Sequence, residues 1–544
     1  MAMLAIWAAG CASLPGNVSR PVSRAFAAPE ETPLGRLLQQ RRAQAAARSD
    51  SGFRLLDSVD MAFNGRMALI EAAQRTLDLQ YYAIHADGST EQLLERIRSA
   101  AARGVRVRIL LDDFNSVGTD AQVLRLAFLD NVQLRLYNPL PGSRRSLASR
   151  IFTSLHDVGQ IQKRMHNKLF IADNAWGIAG GRNLGDAYFG RGEESNFVDL
   201  DVLAAGRVVR DMSASFDAYW NNELAFPVES LLDKEDLDRL RAPLAAGSAP
   251  DGSQPPQPTQ AGASVTHTTS VLPDVTATGV QSRVLDLRQV PLTWAPSALM
   301  VDKPGKVGPG DDEVDAGDTL IDGLLALMAQ AKSDLLIISP YFVPGQPMMK
   351  TFADLRQRGV RIRVLTNSLA SNDAPAAHAG YARYRKQLLA LGIELYEMRA
   401  EQEGSPGGLG SGINARAAQS SGFGSGAGGG SKAGTGRASL HSKAVIIDSQ
   451  LAVIGSMNLD LRSQLKNSEV ALVIRSAALS RESILLVENS LSKGAYRLEW
   501  TAGGLRWRAP SGAPFNDATS EPEASAKLKL LVNVIGPLAP DEML

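Results

Sequence analysis

Hydrophobic and polar positions follow the same order twice along the 544-residue chain. Each copy begins with an apolar run, continues with an amphipathic stretch and an alternating segment that opens on Arg-Gly, and ends with a short alternating strand. The copies lie at 77–84, 91–102, 103–110 and 132–137, and again at 334–343, 346–357, 358–365 and 393–396. Alternation predicts strands, and a period of about 3.6 residues predicts helices. The sequence therefore predicts an α/β fold of two tandem, pseudo-symmetric lobes rich in parallel strands.

Two segments of biased composition interrupt this pattern. Residues 244–284 are rich in Pro, Gly, Ser, Thr and Gln, which predicts a flexible linker between the lobes. Residues 404–437 are dominated by Gly, Ser and Ala, which predicts a disordered insertion in the second lobe. The resulting division is a signal peptide at 1–11, a leader segment at 12–50, a first lobe at 51–243, the linker, a second lobe at 285–510 and a C-terminal segment at 511–544.

The charge balance of the chain argues against nucleic acid as a partner. Lys and Arg together number 57, as do Asp and Glu, so the chain lacks the basic excess of a typical nucleic-acid binder. The arginines of the alternating segments are interpreted as solvent-facing rather than as a basic patch. No nucleic-acid partner is expected.

Cys11, the only cysteine, excludes an intrachain disulfide. It ends a short apolar stretch, MAMLAIWAAGC, that resembles a bacterial lipoprotein signal peptide, which is cut before an acylated cysteine. We therefore expect a lipid anchor at Cys11 that holds the protein at a membrane of the bacterial cell envelope. The alternative is that Cys11 occurs by chance in an irregular N-terminal segment and is not acylated.

Two copies of one four-residue template carry the candidate chemistry. Lys stands two residues, Asp seven residues and Asn seventeen residues after a His in both copies. The members are His166, Lys168, Asp173 and Asn183 in the first copy, and His441, Lys443, Asp448 and Asn458 in the second. His and Lys at i and i+2 of a strand share a face. A turn at each Asp and a returning strand would bring Asn back beside the His, and the aspartates are expected to fix that turn.

Each half thus offers an imidazole, an ammonium and a carboxamide, and two such halves form a pocket for a phosphodiester. One imidazole can attack phosphorus while the other protonates the leaving alkoxide. The lysines and asparagines would hold the non-bridging oxygens, so no metal or other cofactor is required.

A histidine that acts as nucleophile needs an acceptor on its second ring nitrogen. Glu469 is the candidate in the second half; its counterpart is Asp199 or Asp201, and alignment of the following apolar residues favours Asp201. Tyr82 and His378 could line a substrate channel, although a structural role is the alternative for both.

The paired motifs resemble those of the phospholipase D superfamily. Their context is similar to the cardiolipin synthase C type of bacterial phosphatidyltransferase, on segments that read LQYYAIH at 79–85, LDDF at 111–114, RMHNK at 164–168, GGRNLGDAYF at 180–189, VDLDV at 198–202 and HAGYARYR at 378–385. The resemblance implies two lobes, each a central mixed sheet flanked by helices, with one shared active site. It also implies metal-independent catalysis through a phosphohistidine, with His166 the usual nucleophile and His441 the acid and base.

Phosphatidyl transfer at a membrane surface is the function that this resemblance implies. Phosphatidylglycerol, together with phosphatidylethanolamine as a second candidate, would be the substrate, and cardiolipin the product. Hydrolysis of a lipid phosphodiester, or less plausibly of nucleic acid, uses the same residues and stays open. A non-enzymatic lipid-binding lipoprotein is a third class, which the two complete motifs disfavour.

Overall fold

The computed structural model describes most of both predicted lobes. The described residues are 14–116, 120–142, 158–193, 195–241, 285–308, 318–401, 408–411 and 437–536. The predictions for the signal peptide with Cys11, for the linker 244–284 and for nearly all of the insertion 404–437 lie outside them.

Within the described ranges the first sheet contains nine strands, and a tenth strand of this part of the chain, β7, lies at the boundary between the lobes. The strands are β1 Ser51–Leu56, β2 Thr76–Tyr81, β3 Arg106–Asp112, β4 Val132–Tyr137, β5 Leu169–Ala172, β6 Trp176–Gly180, β7 Ser195–Val198, β8 Asp201–Gly206, β9 Ala225–Pro227 and β10 Thr293–Trp294. The helices are α1 Pro33–Gln44, α2 Val59–Ala72, α3 Gly88–Ala102, α4 Val158–Gln162, α5 Arg207–Trp220 and α6 Lys234–Arg241. Short 3-10 helices cover Pro29–Glu31, Asp120–Phe128, Asp186–Phe189 and Val228–Ser230.

The described part of the second sheet also contains nine strands, and β15 lies at the boundary opposite β7. The strands are β11 Ser297–Val301, β12 Asp334–Ile338, β13 Arg361–Asn367, β14 Glu394–Met398, β15 Arg437–Leu440, β16 Ala444–Ile447, β17 Leu451–Gly455, β18 Val470–Arg475, β19 Ala495–Thr501 and β20 Gly504–Arg508. The helices are α7 Leu320–Met328, α8 Gly345–Gln357, α9 Pro375–Ala390, α10 Leu461–Leu465, α11 Ala477–Gly494 and α12 Ala526–Ile535, with a 3-10 helix at Pro304–Val307.

The two sheets share one strand order. The first runs β10-β1-β8-β6-β5-β2-β3-β4-β9 and the second runs β11-β18-β17-β16-β12-β13-β14-β19-β20. In each, three neighbouring strands are parallel and the others antiparallel, so both sheets are mixed. The parallel strands are those of the repeated apolar pattern. This confirms the predicted α/β fold of two pseudo-symmetric lobes.

Local signals explain where the repeated helices stop. The helices α3 and α8 both end at an arginine that is followed by glycine, and these glycines, Gly104 and Gly359, have φ values of 91° and 81°. Only glycine enters that left-handed region without a steric penalty, and it lets the chain leave the helix at once for the next strand.

One apolar core runs through both lobes and fixes them against each other. It includes Phe53 and Leu169 of the first sheet together with Leu336, Ala444 and Ile454 of the second, all fully or almost fully buried. Two further clusters lie on the outer sides of the sheets, beneath the helices. The lobes therefore meet across packed apolar surface rather than across a hinge.

The boundary predicted at residue 285 is wrong by about ten residues. Leu287 and Val290 are buried in the core of the first lobe, and Arg41 donates to their carbonyl oxygens at 3.0 and 2.6 Å. The strand β10 then pairs with β1 of the first sheet. The sequence did not indicate which lobe the apolar residues next to the linker would join. The second lobe begins at β11.

Candidate active site

The two histidine motifs each form a strand–turn–strand hairpin. The strands β5 and β6 pair in the first lobe, and β16 and β17 pair in the second, with the histidine just before the first strand of each hairpin. The turns contain two residues with positive φ, Asp173 and Asn174 in one copy and Asp448 and Ser449 in the other. The predicted paths of both motifs are therefore confirmed.

Asp173 and Asp448 organise these turns and lie far from the histidines. The carboxylate of Asp173 accepts from three backbone N–H groups at 74–76, at 2.8–3.2 Å. Asp448 does the same for the N–H groups of 332–334. The four-residue strand that separates each Asp from its His–Lys end is about 13 Å long. The two aspartates therefore have the turn-fixing place expected of them: they tie the hairpin to the start of β2 or β12 and, although they are members of the motif, do not reach the histidines.

His166 is oriented by a carboxylate of the opposite lobe. Its Nδ1 lies 3.0 Å from both carboxylate oxygens of Glu469, a residue 303 positions away. Ser463 donates to the same carboxylate at 3.1 Å, and the hydroxyl of Ser456 also donates to it. With the carboxylate ionised, Nδ1 of His166 carries the hydrogen and Nε2 keeps its lone pair.

His441 has the matching partner in the first lobe. Its Nδ1 lies 2.7 Å from Oδ2 of Asp199 across 242 positions. The backbone N–H of Leu200 donates to the other oxygen of Asp199 at 2.9 Å. Both carboxylates are fully buried. Each lobe therefore contributes one histidine and the carboxylate that orients the histidine of the other lobe.

Backbone pairing across the boundary holds these pairs in register. The strand β7, which precedes Asp199, pairs in parallel with β15, which precedes His441. An equivalent bridge joins Met165 to Ser468, the residues before His166 and Glu469. The N–H of His166 donates to the carbonyl of Ser468 at 2.9 Å. The position of each imidazole therefore follows from main-chain geometry.

The assignment of Asp201 as the orienting carboxylate is wrong. Asp201 is buried in an ion-pair cluster, where Arg66 and Arg182 approach its Oδ2 at 2.9 and 3.2 Å. Asp201 faces Gly180 on β6, just as Ala471 faces Gly455 on β17. Counting two residues back from each places Asp199 in register with Glu469.

The motif lysines lie on the histidine side of the strands, as expected from the i, i+2 spacing. Nζ of Lys168 donates to the carbonyl of His166 at 2.8 Å, and Nζ of Lys443 donates to the carbonyl of His441 at 2.6 Å. Both side chains are almost completely buried. Two lysine amino groups thus lie beside two imidazoles in one buried site.

Burial controls the protonation of these groups. It lowers the pKa of His166 to about 4, against the opposing charge of Glu469, and lowers the pKa of Lys168 to about 7. Burial also holds the pKa of His441 well below its usual value, helped by the charges of Lys443 and Lys168, and lowers the pKa of Lys443 itself. Burial therefore favours the neutral forms of these groups, and an anion beside them would favour their protonated forms.

Aromatic rings and the motif asparagines border the imidazoles. The ring of Tyr82 meets that of His166 edge-on at 5.2 Å, and the ring of Tyr188 meets that of His441 at 5.4 Å. Nδ2 of Asn183 donates to the hydroxyl of Tyr188 at 2.9 Å. The side-chain oxygen of Asn458 is buried and has no partner among the described residues. Tyr82 thus borders His166, and its role in lining a substrate channel stays a prediction.

His378 does not border the site in the described structure. Its side chain is fully buried in α9, where Nε2 lies 2.9 Å from a guanidinium nitrogen of Arg385 and 3.5 Å from Glu521. Its ring packs against Tyr381. The prediction of a channel position for His378 is therefore wrong. The structural role, which was the alternative for His378, is the one that its contacts with Arg385 and Glu521 support.

Comparisons with known proteins agree with this geometry. A family model described as "Cardiolipin synthase, PLD-like domain" matches residues 67–220 and 324–488. Cardiolipin synthase C of Escherichia coli (strain K12) is 36% identical over 461 residues, which cover 84% of this chain and 87% of that protein. The chain belongs to the cardiolipin synthase, phospholipase D-like family. It is a phosphatidyltransferase of this superfamily.

Two further likenesses extend along most of this cardiolipin synthase-like chain. An uncharacterized protein of Helicobacter pylori (strain ATCC 700392 / 26695) is 28% identical over 521 residues, covering 92% of this chain and 91% of that protein. The crystal structure of phosphatidylserine synthase from Haemophilus influenzae Rd KW20 matches with a TM-score of 0.50 at 13% identity, covering 84% of this chain and 91% of that one. This last match supports the two-lobed fold alone.

Several residues of this cardiolipin synthase-like site escaped sequence reasoning. Ser456 and Ser463, which hold Glu469, belong to no predicted set, and neither does Tyr188. Ser456 lies two residues before the motif residue Asn458, at the end of the returning strand β17. This position beside the site was a signal from which its role could have been predicted. Tyr188 lies in the segment that carried the family resemblance, five residues after Asn183.

Proposed function

We propose that this protein makes cardiolipin by transferring a phosphatidyl group from one phospholipid to the glycerol hydroxyl of phosphatidylglycerol. The donor is a second phosphatidylglycerol or a phosphatidylethanolamine. One observation carries the proposal: two histidine–carboxylate pairs, each built from both lobes, meet in a single buried site with two lysines.

In the first step, Nε2 of His166 attacks the donor phosphorus. A phosphorus–nitrogen bond forms as the bond to the headgroup oxygen breaks, and His441 gives its proton to that departing oxygen. The anionic phosphodiester, once bound, favours the protonated imidazole and so offsets the burial that otherwise keeps His441 neutral. The product is a free alcohol and a phosphatidyl group on His166.

In the second step, the hydroxyl of phosphatidylglycerol enters where the first alcohol left. His441 accepts its proton, the new phosphorus–oxygen bond forms, and the phosphorus–nitrogen bond to His166 breaks. Glu469 keeps the hydrogen of Nδ1 in place and balances the charge of the imidazole in both steps. The protonation states of both histidines are then those of the starting enzyme–substrate complex.

Lys168 and Lys443 would supply the positive charge that the transition state requires. Negative charge builds on the non-bridging oxygens during transfer, and preformed donors in a buried site stabilise it most. The carboxamides of Asn183 and Asn458 are the further donors in this proposal. We expect activity to be independent of added metal and to survive a chelator.

The deciding experiment incubates the detergent-solubilised protein with labelled phosphatidylglycerol, with and without phosphatidylethanolamine. Labelled cardiolipin supports transfer, whereas phosphatidic acid as the sole product would establish hydrolysis and overturn the proposal. His166→Ala and His441→Ala should both abolish turnover, while His378→Ala, a histidine outside the site, should retain it wherever the variant remains folded.

The division of labour between the histidines has its own test. His441→Ala should still react with a lipid whose leaving group needs no protonation, such as a p-nitrophenyl phosphodiester, and should accumulate a phosphatidyl adduct on His166 that intact mass spectrometry detects. His166→Ala should accumulate none. If instead the His166 variant accumulates an adduct on His441 and the His441 variant accumulates none, the two roles are exchanged.

We further propose that the protein acts at a membrane of the bacterial cell envelope through an acyl chain on Cys11. The lipid substrate and the lipoprotein-like segment support this location. Growth with labelled fatty acid should label the wild-type chain and leave Cys11→Ser unlabelled. Equal labelling of both would remove Cys11 as the anchor.

A further inference from the structure

The C-terminal helix α12 exposes an apolar stripe that the fold does not use. Leu530, Leu531 and Val534 are 65%, 44% and 55% exposed, and their spacing places them on one side of the helix. Ser525 caps the helix by accepting from the N–H of Leu528 at 3.2 Å. An exposed apolar face on a well-formed helix indicates a binding surface.

The opposite side of α12 packs against α9, so the helix is a fixed part of the second lobe. A Cβ at Gly536 would lie 3.7 Å from the Cβ of Ala379. The chain before the helix is held by ion pairs, Glu521 with Arg385 at 2.5 Å and Glu523 with Arg399. The apolar stripe therefore has a defined place relative to the active site.

That place is close to the site that holds the two histidines. The helix α9 begins two residues after Asp373, whose carboxylate accepts from the hydroxyl of Tyr341 at 2.8 Å and interacts electrostatically with Lys443. Ala379 lies about 6 Å further along α9, at a rise of about 1.5 Å per residue. The C-terminal end of α12 thus approaches the end of α9 nearest the active site.

The helix itself has the charge that suits an anionic lipid surface. Residues 526–535 contain two lysines, Lys527 and Lys529, and no acidic residue, and Lys527 is exposed. Lysines beside an apolar helix face are typical of helices that lie in a membrane interface.

We propose that the outer face of α12 docks on an anionic bilayer, with Leu530, Leu531 and Val534 among the acyl chains and the lysines at the headgroups. This orientation holds the neighbouring end of the site at the depth where phospholipid headgroups lie. The proposal rests on the proposed lipid substrate. No helix of the described ranges is long and apolar enough to cross a membrane.

The test uses the full chain with Cys11→Ser, so that an acyl anchor cannot mask docking. Leu530→Ser, Leu531→Ser and Val534→Ser are combined in one variant, and three other exposed apolar residues are changed to serine in the matched control: Val22, Leu129 and Leu485. Sedimentation with vesicles of phosphatidylglycerol and phosphatidylethanolamine should show roughly tenfold weaker binding for the helix variant alone. Unchanged thermal melting establishes that both variants fold.

Turnover separates this inference from the proposed function. The helix variant should lose transfer with vesicle substrate but keep transfer with a short-chain, monomeric phosphatidylglycerol. If the wild type transfers with neither substrate, the proposed function fails, and vesicle binding still tests α12. Equal vesicle binding by the helix variant and the control overturns the docking proposal. The proposal is also overturned if the helix substitutions reduce self-association of the protein and change nothing else.

A single probe gives an independent measurement. Cys11 is the sole cysteine, so Leu531→Cys in the Cys11→Ser chain accepts one environment-sensitive fluorophore. Its emission should shift to shorter wavelength with anionic vesicles, and far less with vesicles of phosphatidylcholine. The same probe at Leu485→Cys should not shift. No shift at residue 531 with anionic vesicles would contradict docking.

Discussion

The lysine of the first motif should make anion binding depend on pH in a way that an arginine would not. Burial lowers the pKa of Lys168 to about 7 in the free protein. An oxyanion that binds beside Lys168 needs the ammonium form, so binding draws a proton onto the lysine whenever the pH exceeds that value. Affinity should therefore fall as the pH rises above about 7 and should level off below it.

The size of the effect follows from the proton count. One proton taken up on binding costs tenfold in affinity per pH unit well above the pKa. Because the lysine is half protonated at about pH 7, affinity should fall about 50-fold between about pH 7 and about pH 9, or about 2.3 kcal/mol. Lys443, whose pKa burial also lowers, adds to the slope wherever it deprotonates in the same range. Any proton that the bound anion draws onto His441 adds equally to the slopes of the wild type and of a Lys168 variant, so the difference between the two slopes reports Lys168.

Isothermal titration with tungstate, a phosphate analogue that stays a dianion in this range, measures the slope directly. Repeating it in two buffers of different ionisation enthalpy counts the protons taken up. Lys168→Arg keeps the charge at every pH, because a guanidinium pKa exceeds about 12, and its slope should be one proton smaller. The same slope in both proteins, or constant affinity in the wild type, would refute the buried-ammonium account.

Three further substitutions test individual contacts of the site. Asp199→Asn should lower turnover by about 10³–10⁴-fold with little change in melting temperature, because His441 loses its ionic acceptor; near-normal turnover would remove the cross-lobe pair from catalysis. Asp201→Asn should mainly destabilise the fold, by about 3–5 kcal/mol in chemical denaturation, since it leaves buried arginines without their carboxylate. A Cβ at Gly181 would lie 2.5 Å from Oδ1 of Asp199, so Gly181→Ala should displace that carboxylate and lower turnover with little change in melting temperature. A lower melting temperature with normal turnover would contradict this expectation.

The repeated pattern of the sequence predicted the sheets well because it reports burial, and burial sets strand position. The predicted strand at 132–137 is β4, and the returning strands predicted after the two turns are β6 and β17. The same pattern was wrong for the arginines of β3. Arg108 is fully buried, bonded to Asp78 at 2.7 Å and to Asp217 at 2.8 Å. A strand covered on both faces retains the alternation of its polar residues without exposing them.

The choice between Asp199 and Asp201 shows where the sequence stops being informative. The two residues are two apart, so a strand places them on the same face, and a register slip of two leaves the apolar pattern unchanged. Only pairing resolves it: Asp201 opposes Gly180 on β6, whereas Asp199 lies at the end of β7 and points into the other lobe. Contacts across 242 and 303 residues have no local signal.

The exchange of carboxylates explains why the site requires two lobes and not merely two histidines. A lobe on its own has an imidazole with no acceptor for Nδ1, because Glu469 serves His166 and Asp199 serves His441. An unpaired imidazole rotates and populates both tautomers, and it then loses the fixed Nε2 lone pair that attack on phosphorus needs. The pairing of β7 with β15 and the shared apolar core therefore act on catalysis directly. Any change that separates the lobes slightly should disable both histidines at once, although neither motif is touched.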